Sequence, residues 1–375
     1  MKQRIDMIRE LRIQNFLSLE DVNVSLGKMN IFVGPNASGK SNIVKALMFI
    51  KNLMNKNTEH SCKTLGLKSL KNMVYNFEEE RTIRFNIFLS IKSKDLQYEI
   101  EINPKTGGVE KEIIKFLGMG KPLLNRKGIE MEYLTNVGDI TTREAVFGWT
   151  VFSSLPRNSH PLLIEMRKFL EGFSAYSFDP YKMRSMSPPG FNLELERDGS
   201  NLAQVLHSLL TYSRKDKFIP IEKTIRDLIP EIEEIDVPLT ESGDNVYLAL
   251  REHGVPEPIE YTNISDGTLR IIAFVTALHL KSSVIAFEEP ENCVHPHLFE
   301  TVIHLCRNLT PCQIIITTHS PYLVDKAEVE ELRLVMKKEG RTEVSEVKDR
   351  EKIKKLLEEG LTLGEIWYSG ELGEV

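Results

Sequence analysis

Apolar residues in the first hundred positions repeat with the period of β-strands, except in one segment that repeats as a helix. The short, largely apolar run Met29–Val33 predicts a buried strand, and the spacing over residues 42–50 predicts a helix. Alternation of apolar and polar residues predicts half-exposed antiparallel strands over residues 82–91 and 96–102. Further strands are predicted over residues 8–13 and 19–26. The pattern indicates a strand-loop-helix unit with an antiparallel sheet packed on its side.

The middle of the chain is less regular. Residues 55–72 are polar and rich in Lys, Ser and Asn, which predicts a mobile loop. Residues 141–189 are mixed and partly helical, and residues 201–212 and 219–229 form two amphipathic helices around a charged turn from Arg214 to Lys217. No heptad run or internal repeat is present. We therefore predict a compact helical insertion and not a long coiled-coil arm.

The last third returns to a core-like pattern. Apolar segments predict a helix over residues 269–280, a strand over 284–287, a helix over 297–308 and a strand over 313–317. Beyond Asp325 the chain is heavily charged, with one predicted helix near residues 352–359. The predicted domains are 1–103 with the phosphate loop and side sheet, 104–258 as an insertion, 259–335 completing the core, and 336–375 as a charged tail.

Bulk composition narrows the classes of protein. The 375 residues carry a formal net charge of −6, which gives no support for a surface coated in positive charge. Cys62, Cys293, Cys306 and Cys312 lack metal-ligand spacing, so we expect free thiols in a reducing compartment. No signal peptide and no apolar run of membrane-spanning length is visible. We expect a cytoplasmic protein that does not span a membrane.

Residues 34–41 read Gly-Pro-Asn-Ala-Ser-Gly-Lys-Ser and fit the phosphate-loop pattern G-x-x-x-x-G-K-S/T. Glycines let the backbone turn its N–H groups toward phosphates, and the following helix N-terminus adds a positive dipole end. Lys40 is expected to reach the β- and γ-phosphates, and the Ser41 hydroxyl to bind Mg²⁺. The predicted nucleotide-binding residues are Gly34, Asn36, Ala37, Ser38, Gly39, Lys40, Ser41 and Asn42. The alternative is a glycine-rich turn before an ordinary helix.

Two other strand ends carry matching chemistry. The strand over residues 284–287 is followed by Glu288 and Glu289, and the strand over 313–317 by Thr318 and His319. Glu288 is expected to hold Mg²⁺, Glu289 to polarise the attacking water, and His319 to donate to the γ-phosphate or that water. Taken alone, these residues also fit a solvated acidic loop and a structural histidine. Ligands in parallel sheets bind beyond the carboxyl ends of the strands, which favours the catalytic interpretation.

The motifs together resemble ABC-type ATPases of the RecF/SMC branch. More narrowly, the chain is similar to the predicted AAA/ABC ATPases related to OLD nucleases. The residues that carry the resemblance are Ile13 to Ser18, the phosphate loop, Ser265-Asp266-Gly267-Thr268-Leu269-Arg270, Glu288 to Asn292 with His295-Pro296, and Thr318-His319-Ser320-Pro321. Residues 104–190 carry none of it. The implied fold is an α/β head with a mixed central sheet, an antiparallel side sheet and a helical insertion.

The resemblance implies a homodimer that holds two ATP molecules and Mg²⁺ between its subunits. Ser265 and Gly267 would contact the γ-phosphate bound by the partner. On its own, Ser265-Asp266-Gly267 is an ordinary helix-capping sequence. The aspartate usual at the metal position is replaced by Glu288, and Gln97 is a weak candidate for the lobe-linking glutamine. No aromatic residue is evident for stacking on adenine.

Only about fifty residues follow His319, which are too few for the Toprim domain of OLD nucleases. We therefore expect an ATPase switch that acts on nucleic acid or on a separate effector protein, with phage defence as one setting. Three alternatives stay open: a RecF-like ATPase that binds DNA in repair, the motor subunit of a membrane transporter, and an idle scaffold. The transporter would require a coupling surface and a glutamine loop, neither of which is recognisable.

Overall fold

A computed structural model of the chain describes residues 5–212, 215–292, 297–308 and 311–372. Arg214, Cys293 and His295-Pro296 lie outside these residues. The strands are β1 Met7–Phe16, β2 Leu19–Ser25, β3 Met29–Val33, β4 Ile83–Ile91, β5 Lys94–Ile102, β6 Val109–Phe116, β7 Leu124–Lys127, β8 Glu130–Leu134, β9 Ile140–Glu144, β10 Phe173–Tyr176, β11 Ile232–Asp236, β12 Ala249–Glu252, β13 Ile259–Glu260, β14 Val284–Glu288, β15 Gln313–Thr318, β16 Leu332–Lys338 and β17 Arg341–Glu346.

The α-helices are α1 Lys40–Leu53, α2 Thr58–Lys63, α3 Pro161–Glu171, α4 Pro180–Met183, α5 Leu202–Thr211, α6 Lys215–Leu228, α7 Asp266–His279, α8 His297–Asn308, α9 Pro321–Val324, α10 Arg350–Glu358 and α11 Leu363–Tyr368. Short 3-10 helices cover Leu70–Met73, Tyr75–Phe77, Val151–Ser154 and Val329–Glu331. Within the described ranges, no helix has the length and apolar character needed to cross a membrane.

The central sheet has the strand order β10-β14-β15-β3-β16-β17. Neighbouring strands run parallel, except that β17 is antiparallel to β16. Ile31 packs into one hydrophobic cluster and Phe32 into another, so β3 is buried on both faces. Burial on both faces explains why the sequence of this strand is largely apolar and does not alternate. The mixed central sheet is therefore confirmed, and its parallel strands bring their carboxyl ends to one edge.

The antiparallel side sheet has the order β2-β1-β4-β5-β6-β7-β8-β9. Helix α1 packs on it through Phe49, whose ring centroid lies 5.9 Å from those of both Phe16 and Phe85. The helix that follows the phosphate loop is thus fixed between the two sheets. Strands β6 to β9 extend the side sheet well past residue 103, so the predicted boundary at 103 falls inside one continuous sheet.

The predicted insertion contains more than helices. Its strand β10 enters the central sheet by pairing in parallel with β14. Strands β11, β12 and β13 form a small third sheet, and helix α6 contacts both β11 and α7. The middle of the chain therefore supplies a strand of the central sheet and packs against helix α7.

The prediction of a mobile loop over residues 55–72 is wrong. This segment contains α2, which Asn57 caps by accepting a hydrogen bond from the His60 N–H at 2.7 Å. Three residues of this helix, Thr58, Ser61 and Cys62, are buried. Small and polar residues fill this interface, which explains why the sequence lacks the apolar signal of a packed helix.

The prediction of a charged tail from residue 336 is also wrong. Strand β16 pairs in parallel with β3 and continues to Lys338, and Ile353, Leu363 and Ile366 beyond it are buried in the same hydrophobic cluster as the central sheet. Strand β17 follows as its antiparallel partner. The apolar run of β16 is short and lies between charged residues. The charged composition of this segment therefore gave no indication of a strand of the central sheet. The predicted helix near residues 352–359 is confirmed by α10.

A fully buried ion pair lies inside the side sheet. Glu112 accepts hydrogen bonds from the Tyr98 hydroxyl and the Val151 N–H, both at 2.9 Å, and its Oε2 lies 3.6 Å from Arg126 Nη1. The Arg126 guanidinium also donates to the carbonyls of Gly128, Val146 and Trp149. Burial raises the pKa of Glu112 to about 7, against the lowering effect of these partners.

We predict that Glu112→Gln removes a pH dependence of stability. The raised pKa means that the folded state holds this proton more tightly, so its contribution is full below about pH 4.5 and is lost as pH rises through about 7. The wild type should lose on the order of 2–3 kcal/mol relative to Glu112→Gln between pH 5 and pH 8 in urea unfolding. Glu130→Gln, on the exposed face of β8, is the control and should track the wild type. Parallel pH profiles for wild type and Glu112→Gln would contradict the prediction.

Candidate functional site

The phosphate loop runs from the carboxyl end of β3 into α1, and two of its glycines are required by close packing. A Cβ atom at Gly34 would lie 1.9 Å from the Val335 carbonyl oxygen in β16. Gly39 has φ +106°, and a Cβ atom there would lie 2.0 Å from Thr342 Oγ1 in β17. Any side chain at these positions would therefore displace the backbone of the loop.

The start of α1 presents unpaired donors. The N–H groups of Gly39, Lys40 and Ser41 donate to no residue in the described ranges, and no side chain caps this 14-residue helix. Ser41 is exposed there. Free N–H groups at a helix N-terminus, together with the helix dipole, favour binding of an anion such as a phosphate group.

Lys40 provides the positive charge at this position. It is buried, and its Nζ donates to the carbonyls of Gly34 and Pro35 at 2.7 and 2.9 Å. Burial lowers the pKa of Lys40, while the nearby charges of Glu289 and Glu291 act in the opposite direction. The ammonium group therefore lies within electrostatic reach of the carboxylates that follow β14.

The two predicted carboxylates have different surroundings. Glu288 is 9% exposed and accepts a hydrogen bond at 2.5 Å from Arg197 Nη2. Glu289 is more exposed and adopts a left-handed backbone with φ 47°, which is rare for a residue with a side chain. Asn292 Nδ2 donates to Glu289 Oε2 at 3.1 Å. One carboxylate is thus held by a cation, and the other projects from a strained turn.

A third carboxylate joins the site and orders the histidine. Glu291 is buried, and its Oε1 accepts from the Thr318 hydroxyl at 2.5 Å and from the His319 N–H at 3.2 Å. His319 Nδ1 lies 3.3 Å from Glu289 Oε1 and 3.8 Å from Glu291 Oε1. Burial raises the pKa of Glu291, against the hydrogen bond from Thr318. The structure therefore brings His319 beside Glu289.

The Ser265 motif caps α7. Ser265 Oγ accepts from the Thr268 N–H at 3.1 Å, and Ser265 and Asp266 are exposed. Asp266 also pairs with Arg184 at 2.5 Å, which ties the start of α7 to the segment after α4. Gly267 lies in the first turn of α7 and is half-buried. The structure of one chain thus presents this motif on the surface, and its contact with a partner's nucleotide stays a prediction.

Four of the remaining predicted residues belong to the phosphate loop and the start of α1, and Gln97 lies on the side sheet. Asn36 and Ala37 are exposed, whereas Ser38 is buried and its hydroxyl makes no hydrogen bond within the described ranges. Asn42 Nδ2 donates to Ser18 Oγ at 2.7 Å. Gln97 lies on β5 and donates to Asn86 at 3.1 Å, and its role as a lobe-linking glutamine stays a prediction.

The available donors suit a hard divalent cation. Ser41 and Glu288 offer only oxygen atoms, which Mg²⁺ prefers. Within the described ranges, no group of three or more His, Cys, Asp or Glu side chains is arranged as a metal site. Because Mg²⁺ in nucleotide sites retains water and phosphate ligands, one hydroxyl and one carboxylate are sufficient from the protein. The residues therefore fit Mg²⁺ delivered with a nucleotide.

Two sequence families match the chain in succession. Residues 7–143 match "AAA ATPase domain", and residues 153–325 match "AAA domain, putative AbiEii toxin, Type IV TA system". The first match contains the phosphate loop, and the second contains Glu288, Glu289 and His319. The two halves of the site thus each fall within a match to an AAA-domain family.

Individual proteins show the same relationship. OLD nuclease of Thermus scotoductus is 24% identical over 383 residues, which cover 92% of this chain and 65% of that protein. The DNA double-strand break repair Rad50 ATPase of Sulfolobus acidocaldarius is 48% identical over 44 residues, 12% of this chain and 5% of that protein. This chain therefore spans somewhat less than two thirds of the OLD nuclease that it resembles.

Solved structures show the fold. An Smc head bound to the C-winged helix domain of ScpA superposes with a TM-score of 0.59 at 15% identity, covering 92% of this chain and 99% of that chain. The Smc head with an extended coiled coil, bound to the C-terminal domain of ScpA from Pyrococcus furiosus, gives 0.58 at 15% identity, with coverages of 95% and 99%.

The chain thus has the fold of an SMC-type head. In sequence it is similar to AAA-domain families and to OLD nuclease, as its motifs indicated. Sequence reasoning missed Arg197, because it lies 91 positions from Glu288 in a segment without a motif. Glu291 was visible in the Glu-Glu-Pro-Glu run, but nothing in the sequence indicated its contact with Thr318.

We predict that Arg197→Met destabilises the protein because it leaves the buried Glu288 carboxylate without its cation. The loss in unfolding free energy should be roughly 1–2 kcal/mol, at the low end for a buried charge because Arg197 is itself 40% exposed. In the Arg197→Met background, Glu288→Gln should cost less than it does in the wild type, giving a measurable coupling energy.

The control is Lys182→Met, which breaks the neighbouring and more exposed pair with Asp198. It should cost less than about 1 kcal/mol in the same urea titrations. Equal losses for Arg197→Met and Lys182→Met, with no coupling to Glu288, would show that the Arg197 pair is only a surface contact.

Proposed function

We propose that this chain binds ATP with Mg²⁺ at the carboxyl edge of its central sheet and hydrolyses it to ADP and phosphate. The observation that carries this proposal is the convergence of three strand ends on one place. Lys40 lies within electrostatic reach of Glu289 and Glu291, and His319 Nδ1 lies 3.3 Å from Glu289. The relationship to ATPase families supports the choice of substrate.

Each residue has a distinct task in the proposed reaction. Lys40 and the free N–H groups at the start of α1 bind the phosphates of ATP. Ser41 and Glu288 would hold Mg²⁺, which would neutralise charge on the phosphates. Glu289 accepts the proton of the attacking water, and His319 orients that water or donates to the γ-phosphate. Glu291 fixes His319 through its backbone N–H and through Thr318.

We further propose that two copies of the chain enclose two ATP molecules. Ser265 and Gly267 lie at the surface-exposed start of α7, where N–H groups are available to a phosphate bound by the partner. ATP would then act as a switch, because a γ-phosphate that bridges both chains favours the assembled dimer. This switch would control nucleic-acid processing or a separate effector, with phage defence as the proposed setting.

The second candidate function is a repair ATPase that binds DNA directly. The match to Rad50 over 44 residues favours it. The two functions are separated by the rate of ATP hydrolysis with and without linear duplex DNA. Strong stimulation by DNA alone would favour the repair ATPase. A protein captured only by the ATP-bound form would favour the effector switch.

We predict Mg²⁺-dependent ATP hydrolysis that is slow without a partner and that separates into binding and turnover by mutation. Lys40→Ala should abolish ATP binding, because the main positive charge on the phosphates is lost. Glu289→Gln should bind ATP normally but lower kcat by about 10²-fold or more, since an amide cannot accept the proton of water. Equilibrium binding and single-turnover phosphate release check the two variants. Wild-type turnover in Glu289→Gln would remove Glu289 from the mechanism.

We predict that Ser265→Arg and Lys40→Ala are each inactive but recover activity when mixed. In a mixed dimer, one site combines the intact Lys40 of one chain with the intact Ser265 of the other. Random pairing makes about half of the dimers mixed, each with one good site of two, so activity should approach roughly a quarter of wild type.

The control mixes wild type with the double variant, in which neither site of the mixed dimer is complete. Activity there should not exceed that of the remaining wild-type dimers. If the complementing mixture stays inactive although labelled chains exchange, the shared site is wrong or both sites must act together. Sedimentation of Glu289→Gln with and without ATP reports dimer formation separately.

A further inference from the structure

A buried chain of hydrogen bonds joins the C-terminal strand β17 to the phosphate loop. We call Ser18, Thr342 and Asn42, with the carbonyl of Ser38, the loop clamp. Thr342 Oγ1 lies 2.8 Å from the Ser38 carbonyl oxygen and 2.6 Å from Ser18 Oγ. Asn42 Nδ2 lies 2.7 Å from Ser18 Oγ. The clamp thus links two distant parts of the chain, the β1–β2 turn and β17, to the phosphate loop and the start of α1.

The chemistry of these groups fixes the direction of the chain. The Ser38 carbonyl can only accept, so Thr342 must donate its single hydroxyl proton to it. Ser18 must then donate to Thr342, and the Asn42 amide donates to Ser18. Each hydroxyl therefore donates once and accepts once, so every hydrogen atom in the clamp has one defined position.

The residues of the loop clamp are closely packed. Thr342 is 2% exposed, and its N–H donates to the Ser18 carbonyl at 2.8 Å, which holds β17 against the β1–β2 turn. Gly39 approaches Thr342 so closely that even a Cβ atom would lie 2.0 Å from Oγ1. The Ser38–Gly39 peptide is therefore pressed against the Thr342 hydroxyl, directly before the free N–H groups of Lys40 and Ser41.

We propose that Thr342 is a positioning residue for the nucleotide. Its hydroxyl holds the Ser38–Gly39 backbone in the one conformation in which the loop's N–H groups converge on a phosphate. This inference rests on the proposed ATP binding. It gives the C-terminal strand a role in the site that neither the loop motif nor the resemblance assigns.

The experiment compares Thr342→Val with Thr342→Ser. Valine keeps the shape but removes the donor, so the Kd for ATP should rise about tenfold because the buried Ser38 carbonyl loses its partner. The KM for ATP should rise with it while kcat at saturation stays near wild type, since the loss affects ground state and transition state alike. Serine restores the hydroxyl and should bring the affinity back toward wild type.

Thr150→Val is the matched control. Thr150 is 1% exposed, and its hydroxyl donates at 2.8 Å to the Leu53 carbonyl at the other end of α1. It should lower the melting temperature about as much as Thr342→Val and leave the Kd unchanged. Equal Kd values for wild type and Thr342→Val would overturn the proposal, as would an equal rise in Thr150→Val.

Hydrogen exchange without nucleotide gives a readout that does not depend on ATP. The N–H groups of Ser38 and Asn42, which donate to the Pro35 and Gly39 carbonyls, should exchange faster in Thr342→Val and not in Thr150→Val. If the wild type binds no ATP, the proposed function fails, and this comparison still decides whether the clamp orders the loop. If Thr342→Val does not fold, Ser18→Ala removes the group that orients the Thr342 hydroxyl. A smaller rise in Kd is expected there, and an unchanged Kd together with unchanged exchange would overturn the proposal.

Discussion

The close approach of β16 and β17 to the phosphate loop is the constraint on which the rest of the site depends. The Val335 carbonyl occupies the space beside Gly34, and Thr342 occupies the space beside Gly39. Packing therefore leaves the loop backbone little freedom to move. A loop that is ordered before it meets a phosphate gives up less entropy on binding. The two glycines serve this packing as well as the left-handed backbone at Gly39.

Charge is distributed around this loop so that each acidic group has a different environment. Glu288 is paired with Arg197, Glu291 is buried against Thr318, and Glu289 is left beside His319 on a strained turn. A carboxylate that acts as a base needs access to water and freedom from a strong cation. Glu289 meets that condition best. The pairing of Glu288 and the burial of Glu291 thus leave Glu289 as the carboxylate that the proposed hydrolysis would use as its base.

The burial of each element explains where sequence patterns predicted the fold and where they did not. The runs at β3, β14 and β15 were predicted because strands buried on both faces are largely apolar. Strand β16 escaped notice, since only its first four residues are buried and charged residues follow. Helix α2 was mistaken for a loop because it buries Thr58, Ser61 and Cys62 instead of large apolar residues. Short segments carry too few positions for periodicity to separate them from loops.

The sequence by itself determined the phosphate loop, the acidic pair with His319 and the ATPase class, because each depends on consecutive residues at a strand end. Only the tertiary structure decided that Arg197 meets Glu288 and that Thr342 meets Ser38, across 91 and 304 positions of the chain. The physical reason is strand order. Placing β16 beside β3 and β10 beside β14 sets which distant side chains share one edge, and that order is a property of the whole packed core.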